Sequence, residues 1–589
     1  MANPLVSDRL IDFLLYEVLD AEALCALPAF SEHSRATFDP WLGACRRVAR
    51  EVLWPTYRPM DLEPPRFEGG RVFVHPSMRT CWRELVGLGV LAASRPSSVG
   101  GQQLPLTVST LSNVYLMAGN LSAYAYAGLT TGAAHLIEAF GDDAVKSSFL
   151  AAMYEGRWTG TMALTEPQAG SSLADVKSTA TPTSGGRFLM KGSKIFISGG
   201  DQDVTENIVH LVLARIDGAP AGTRGISLFA VPKLRPSGEG LRANDVTIAG
   251  VIHKIGWKGL PSVALSLGDE GDCHGWLVGP ANQGLKCMFQ MMNEARLMVG
   301  ANGAATASAA FHESLAYARE RKQGRPLGST DANAEPVALT EHPDVRRMLL
   351  RQKAIVEGSL ALIGLTAQLA DWSEHAEQAE RRAEAKLLLD LLTPIAKTFP
   401  AEKGFEANAL SLQLHGGYGY SSEYLPEAWL RDQKLNTIHE GTTTIQGLDL
   451  LGRKVIAGGG AALMALDGRV RDAVKRAQAA GFDAAPLERG MDELARVTGV
   501  LGARGASGDV LGMMGHSADF LELASTVAVG WAWVEVAARA VQNDDDFSRG
   551  LRQAASYWLA TELPRAQHLA RLCETNERSY LDVNEAWLD

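Results

Sequence analysis

Residues 413–446, QLHGGYGYSSEYLPEAWLRDQKLNTIHEGTTTIQ, place one carboxylate, Glu440, in a run of Gly and Thr. A helical segment, TIQGLDLLGRKV (444–455), follows at once. Thr442 has the residue type and position of an N-cap. A glutamate set between apolar residues and a loop is open to desolvation, which raises its pKa towards the range a general base needs. Negative charge is also favoured beside a helix N-terminus for electrostatic reasons alone, so by itself the stretch leaves both readings open.

Working outward, helical periodicity runs from about Gly284 to about Val455. One helix there carries small residues at Gly300, Gly303, Ala304 and Ala307, a spacing that lets neighbouring helices approach closely. Upstream, at about Trp158, the character changes. Segments such as IVHLVLARI (208–216), GISLFAVPK (225–233) and SVALSL (262–267) are short, rich in β-branched residues and separated by Gly, Pro and Asp turns. These features predict an antiparallel β domain over 158–280. Before it, 1–157 read as helical, with Val6, Leu10, Phe13, Leu14 and Val18 at helical spacing in an extended lead. The bundle is expected over 281–456. AGGGAA (457–462) reads as a linker, and a helical extension fills 463–589. The fold class is therefore mainly α with a central β domain.

Bulk properties narrow the function. A chain of 589 residues is too long for one core. Its net charge of −11 gives no general attraction to nucleic acid or anionic lipid. Residues 460–589 carry 13 Lys and Arg against 19 Asp and Glu, a net of −6, which opposes DNA binding by that extension. None of the six cysteines forms a CxxC pair, which points to free thiols in a reducing compartment. The acidic N-terminus lacks the features of a signal or transit peptide, so the expected location is the cytoplasm. The apolar stretch 521–541 contains Glu522, Glu535 and Arg539 and reads as a buried helix rather than a membrane span. The histidines show no metal-ligand spacing, and no metal site is expected.

Two further stretches carry chemistry. MALTEPQAGSSLADV (162–176) offers hydroxyls at Thr165, Ser171 and Ser172, and backbone N–H groups around Gly170, suited to a polar or anionic cofactor edge. A Pro/Gly surface turn would read the same way. In KGSKIFISGG (191–200), Phe196 and Ser198 alternate with Ile195 and Ile197, so one face presents a ring and a hydroxyl on which a flat ring system could rest. A half-buried strand is the simpler reading of that segment alone.

Taken together, and in this order and separation, these stretches resemble the acyl-CoA dehydrogenase family. The matching segments are LTEPQAGS (164–171), KIFIS (194–198), HKIGWKG (253–259), NEARLMVGANG (293–303), YARERKQGRPLG (317–328), QLHGGYGY (413–420) and RDQKLNTIHEGTTTIQ (431–446). The resemblance covers roughly 70–455. The long lead and the region after 460 are similar to the larger branch of that family, which includes 3-methylmercaptopropionyl-CoA and bacterial fatty acyl-CoA dehydrogenases.

The resemblance implies a helical domain, an antiparallel β domain and a four-helix bundle, with FAD held by the β domain and the bundle, plus an extra C-terminal helical domain. It implies that Thr165 and Ser198 bond the flavin ring, that Phe196 packs on it, and that Ser171 and Arg321 meet the pyrophosphate. Gln413 and Gly417 would reach the cofactor across a subunit interface, and Thr442 and Thr444 its nucleotide portion. Arg296 and Gly441 fall on the substrate side. Glu440 would take the α-proton of an acyl-CoA thioester while the β-hydride passes to the flavin, giving a trans-2-enoyl-CoA. An electron-transferring flavoprotein is the implied electron acceptor, and a homodimer the implied assembly.

Some positions depart from the family. Ser172 stands where an aspartate is usual, Phe196 where many members have Trp, Gln323 where many have Phe, and His439 where a tyrosine is usual. The position that carries the base in some relatives is Ala295, which cannot act as one. Its neighbour Glu294 is turned by about 100° around a helix. An oxidase on the same fold and a DNA-binding relative are the alternative functions. Peroxide yield would separate the first, and the acidic extension opposes the second.

Overall fold

The computed structural model describes residues 3–238, 240–331 and 333–589, with 290–292 described by backbone only. The chain forms two compact units. One comprises 39–104 and 115–295; the other comprises 1–38, 105–114 and 296–589.

The first unit is built on an eight-stranded sheet. Its strands are β1 (Trp158–Ala163), β2 (Thr179–Pro182), β3 (Phe188–Ser198), β4 (Asn207–Ile216), β5 (Ile226–Pro232), β6 (Val246–Val251), β7 (Ser262–Leu267) and β8 (His274–Val278). The order is β6-β7-β3-β8-β5-β4-β1, with β2 beside β3 and β4. Most pairings are antiparallel, as the segment lengths suggest, but β1 and β2 run parallel to β4. Parallel neighbours need a crossover, and the chain supplies one by passing through β2 and β3 between β1 and β4.

The apolar run of β4 is buried along its first eight residues. A strand covered on both faces reads as continuous apolar sequence rather than alternation. Val209, Leu211 and Leu213 pack with Ile137, Phe149 and Trp158 in one core. The helices supplying that core start where side chains satisfy their first N–H groups. Asn120 accepts from the N–H of Ala123 before Leu121–Phe140, and Asp142 from that of Val145 before Asp143–Tyr154.

The second unit is helical. Its main helices are α1 (Gly284–Glu320, from Arg296 onward), α2 (Pro343–His375), α3 (Ala379–His415), α4 (Pro426–Leu435) and α5 (Thr443–Asp449). The small-residue stripe does what its spacing predicts. A Cβ added at Gly300 would lie 2.0 Å from the Ala396 carbonyl oxygen, and one at Gly303 would lie 2.7 Å from that of Pro400. The backbones of α1 and α3 therefore meet almost directly. Pro400 has no N–H to return to Ala396, and Gln433 of α4 donates to the Pro400 and Ala401 carbonyls, at 2.9 and 3.1 Å.

The glycines at 458–460 form a short left-handed turn, after which α6 (Ala461–Ala479), α7 (Ala485–Ala506) and α8 (Ser517–Ala540) continue in the same compact unit. Trp533 of α8 is fully buried, and its indole N–H donates to the Ala354 carbonyl of α2 at 3.0 Å. Trp531 and Trp558 are also buried, while Tyr557 is half-buried. Two helical stretches, Pro343–His375 and Val510–Ala540, are long and apolar enough to cross a membrane, but their apolar windows are 83% and 89% buried inside the fold. They are core helices.

The N-terminal lead lies on α1. Asn3 Nδ2 donates to the Ala309 carbonyl and the Ser308 hydroxyl to that of Leu5. Leu106 and Thr107 give their N–H groups to the two carboxylate oxygens of Asp371, at 2.8 and 2.9 Å, so α2 caps the start of the Leu106–Gly119 helix.

Candidate active site

The β unit carries a first group of the candidate residues. Ile195 N–H donates to the Thr165 carbonyl at 2.9 Å, which brings the LTEPQAGS loop beside the KIFIS strand. Opposite Phe196 the β3–β7 register slips: Val263 pairs with Ile197, and Leu265 with Lys194. Ile195 and Phe196 together face Ala264 alone, which is a β-bulge. Phe196 adopts φ +61°, a left-handed conformation rare for a bulky residue, and is 60% exposed. Thr165 and Ser198 lie half-buried nearby. An aromatic ring held outward under backbone strain is what a flat ligand needs and what a free surface would avoid.

The loop shape depends on a residue that local chemistry did not single out. The Glu166 carboxylate is buried and accepts from the Lys177 and Ser178 N–H groups, the Ser178 hydroxyl and Lys194 Nζ. Burial works to raise its pKa, but the bonds to Lys194 and Ser178 outweigh this and hold the carboxyl well below the usual range. Burial pushes Lys194 down, against the pull of Glu166. Ser171 is exposed, whereas Ser172 donates to Asp175 at 2.7 Å and so serves the turn.

The helical unit carries a second group. Glu440 sits at φ +54° and Gly441 at φ +92°, a left-handed pair ahead of α5. Both carbonyls are pinned by side chains. Gln446 Nε2 donates to the Glu440 oxygen and Lys397 Nζ to the Gly441 oxygen, each at 2.9 Å. Thr442 stands at the N-cap position, but its side chain makes no capping bond, contrary to its residue type. The Thr443 hydroxyl instead bonds Glu402 of α3. Thr444 is exposed on the first turn of α5.

The Glu440 side chain opens to solvent, yet the protein mass around it makes desolvation the largest influence. Its pKa is raised above the usual glutamate value, with Arg296 and Lys397 opposing. Arg296 is buried and donates to Asp449 at 2.6 Å. Its charge acts on Glu440 while its side chain is bonded to Asp449. His439 is pushed down to about 3 by burial and by Lys397, so it is neutral beside the base. Glu294 lies on α1 within the β unit's residues and pairs with His135 at 3.3 Å. His135 outweighs the cost of burial and keeps the Glu294 carboxyl below its ordinary pKa, so it is a poor base.

A third group lies at the end of α3. Arg321 and Gly417 line a cleft of about 780 Å³ together with Tyr317, His342, His415 and Tyr418. Tyr317 stacks on His415 with centroids 4.3 Å apart. Gln413 is exposed on the last turn of α3, outside the cleft lining. Exposed Arg321 beside an aromatic wall suits a phosphorylated nucleotide. All six cysteines are free, and among the described residues no group of three His, Cys, Asp or Glu side chains is placed to hold a metal.

Comparison with known proteins identifies the family. Models of the acyl-CoA dehydrogenase N-terminal, middle and C-terminal domains match 42–157, 161–269 and 282–455, and an acetyl-CoA dehydrogenase C-terminal-like model matches 466–584. The chain belongs to the acyl-CoA dehydrogenase family. It is 38% identical over 498 residues, 82% of each chain, to 3-methylmercaptopropionyl-CoA dehydrogenase of Ruegeria pomeroyi. It is 31% identical to the broad-specificity linear acyl-CoA dehydrogenase FadE5 of Mycobacterium tuberculosis, covering 98% of each. Among solved structures, an FAD-complexed acyl-CoA dehydrogenase from Bacillus anthracis shares the fold with a TM-score of 0.74 at 20% identity, covering 97% of this chain and 92% of that one.

Proposed function

We propose that this protein is an FAD-dependent acyl-CoA dehydrogenase in which Glu440 removes the α-proton of the thioester. The observation that carries the assignment is Glu440 itself, a carboxylate of raised pKa on a left-handed turn whose two carbonyls are pinned. A base of raised pKa holds an abstracted proton more firmly, which suits the weak acidity of an α-carbon.

The residues fit FAD. Exposed Phe196 with Thr165 and Ser198 would take the flavin ring, and Arg321 with Ser171 the pyrophosphate. Gln413 and Gly417 would reach the cofactor of a second subunit, and Thr442 and Thr444 its nucleotide part. When bound, FAD supplies the acceptor for the β-hydride, so that trans-2-enoyl-CoA forms. Glu440 binds the α-proton, and its backbone N–H is assigned to the thioester oxygen, where a donor stabilises the developing enolate. Gly441 leaves room for substrate beside the base, and Arg296 sets the charge around it.

The substrate is a linear fatty acyl-CoA or 3-methylmercaptopropionyl-CoA, a reading supported by the two relatives above. A homodimer in the cytoplasm, reoxidised by an electron-transferring flavoprotein, completes the proposal. The helices after 460 support a dimer because they occupy bundle surface that a further copy could otherwise use.

The test is an acyl-CoA panel with an artificial electron acceptor, and anaerobic bleaching of the bound flavin. A yellow protein with about one FAD per chain, bleached by one member of the panel with matching enoyl-CoA, is expected. A colourless protein that fails to take up FAD overturns the assignment. Peroxide in step with turnover under air would move the electron acceptor to oxygen.

A further inference from the structure

Lys397 is completely buried on α3, yet its motif neighbours gave no reason to notice it. A lysine is almost never fully buried without a partner, because desolvating an ammonium is costly. The hydrogen bond found for this one runs to the carbonyl of Gly441, 2.9 Å away, the residue directly after the base. Gln446, also fully buried, holds the preceding carbonyl, that of Glu440. A non-glycine residue at φ +54° is held against a cost of about 1–2 kcal/mol. Something must over-determine the turn, and these two donors do.

We propose that Lys397 is a positioning residue for the base: its buried ammonium holds the Gly441 carbonyl and so fixes the left-handed Glu440–Gly441 turn that presents the carboxylate. The inference rests on Glu440 being the base. A passive anchor would need only the hydrogen bond. A positioning cation also acts through its charge: burial lowers the Lys397 pKa to about 8, with Glu402 and then Glu440 opposing, so the ammonium is charged over the acid limb and acts on both carboxylates. The groups facing the pair are Arg296 on α1, Glu402 on α3, and His439 and Asp449 from the chain around α5. Arg296 is engaged by Asp449, Glu402 accepts the Thr443 hydroxyl, and His439 is neutral. Lys397 and Arg296 are the cations that oppose desolvation of Glu440.

The test uses the holoenzyme and measures the anaerobic bleaching rate against pH, with FAD content and thermal midpoint measured alongside. Lys397→Met removes bond and charge. Its limiting rate is expected to fall about 10- to 100-fold, and its acid limb to move up by about one pH unit. Lys397→Arg keeps the charge but not the donor position, so its rate is expected to fall with the acid limb unmoved. Lys397→Met with wild-type rate and pH midpoint overturns the proposal. If Lys397→Met does not fold, Lys397→Arg decides: a lowered thermal midpoint with an unchanged rate makes Lys397 an anchor only and also overturns it. Glu440→Gln run in parallel separates the two claims. Bleaching by Glu440→Gln at wild-type rate sinks the base assignment, whereas an inactive Glu440→Gln beside a wild-type-like Lys397→Met sinks the positioning role alone.

Discussion

Lys194 Nζ donates to Glu166 Oε1 at 2.8 Å, with the two side chains 0% and 3% exposed. The pair ties the loop bearing Thr165 and Ser171 to the strand bearing Phe196 and Ser198. Breaking a buried pair from one side leaves the other charge without compensation. Glu166→Gln is therefore expected to cost about 3–5 kcal/mol in urea unfolding, and Glu166→Leu with Lys194→Met together less than either alone. The Glu166 carboxyl is held below its unfolded value, so its stabilising contribution is present above the ordinary glutamate range. It is lost as pH falls towards the folded value of about 2. The difference in stability between wild type and Glu166→Gln should accordingly shrink on acidification.

Glu440 has to be ionised before it can accept a proton, and its pKa is raised. The bleaching rate of the wild-type enzyme is thus expected to fall on acidification with a midpoint above the ordinary glutamate value. Glu440→Gln keeps the side-chain shape but cannot accept the proton. It should lose on the order of 10²–10⁴ in rate while retaining FAD and acyl-CoA ester. Comparable bleaching by Glu440→Gln together with loss in Glu294→Gln would transfer the role to Glu294.

Asp371 is buried and takes both the Leu106 and Thr107 N–H groups and the Thr107 hydroxyl. Asp371→Ala strands two N–H groups at a helix start that carries none of the candidate site residues. A loss of about 2–4 kcal/mol in urea unfolding is expected, with kcat of the folded fraction unchanged. A simultaneous fall in kcat would show that this cap reaches the site.

The segment around Glu440 was legible because its carboxylate, glycine and threonines are contiguous. Lys397 and Gln446 were not, since α3 and α5 bring them to the turn from opposite sides in sequence. No local pattern marks a lysine whose partner is a carbonyl 44 residues on. The stripe at Gly300 and Gly303 was readable as close packing, but its partner, the proline-interrupted stretch of α3, was not. Thr442 had the chemistry of an N-cap, yet the turn is instead braced through Gln446, Lys397 and Thr443. Arg296 aligned with a substrate-side arginine, and only the fold places it against Asp449. In the sheet, strand existence followed from β-branched runs, while the parallel entry of β1 and β2 depends on where the crossover goes.

Phe196 offers the sharpest separation of stability from function. Alternation in KIFIS put its ring on one face, but a regular strand would place it at negative φ. The bulge against Ala264 moves it to φ +61° with 60% of its surface open. So exposed a ring gains little from burial, while its backbone carries about 1–2 kcal/mol of left-handed strain. Glycine adopts this conformation without penalty, although its greater freedom in the unfolded chain returns part of that gain. Phe196→Gly should leave the thermal midpoint of the FAD-free protein unchanged or slightly raised. The same substitution removes the surface on which the flavin would rest, so FAD should dissociate faster and the added stability conferred by saturating FAD should shrink. Apo-protein stability by calorimetry and FAD release by fluorescence are independent readouts. A large drop in apo stability would show that the ring is packed as core, and unaltered FAD release would show that it does not touch the cofactor.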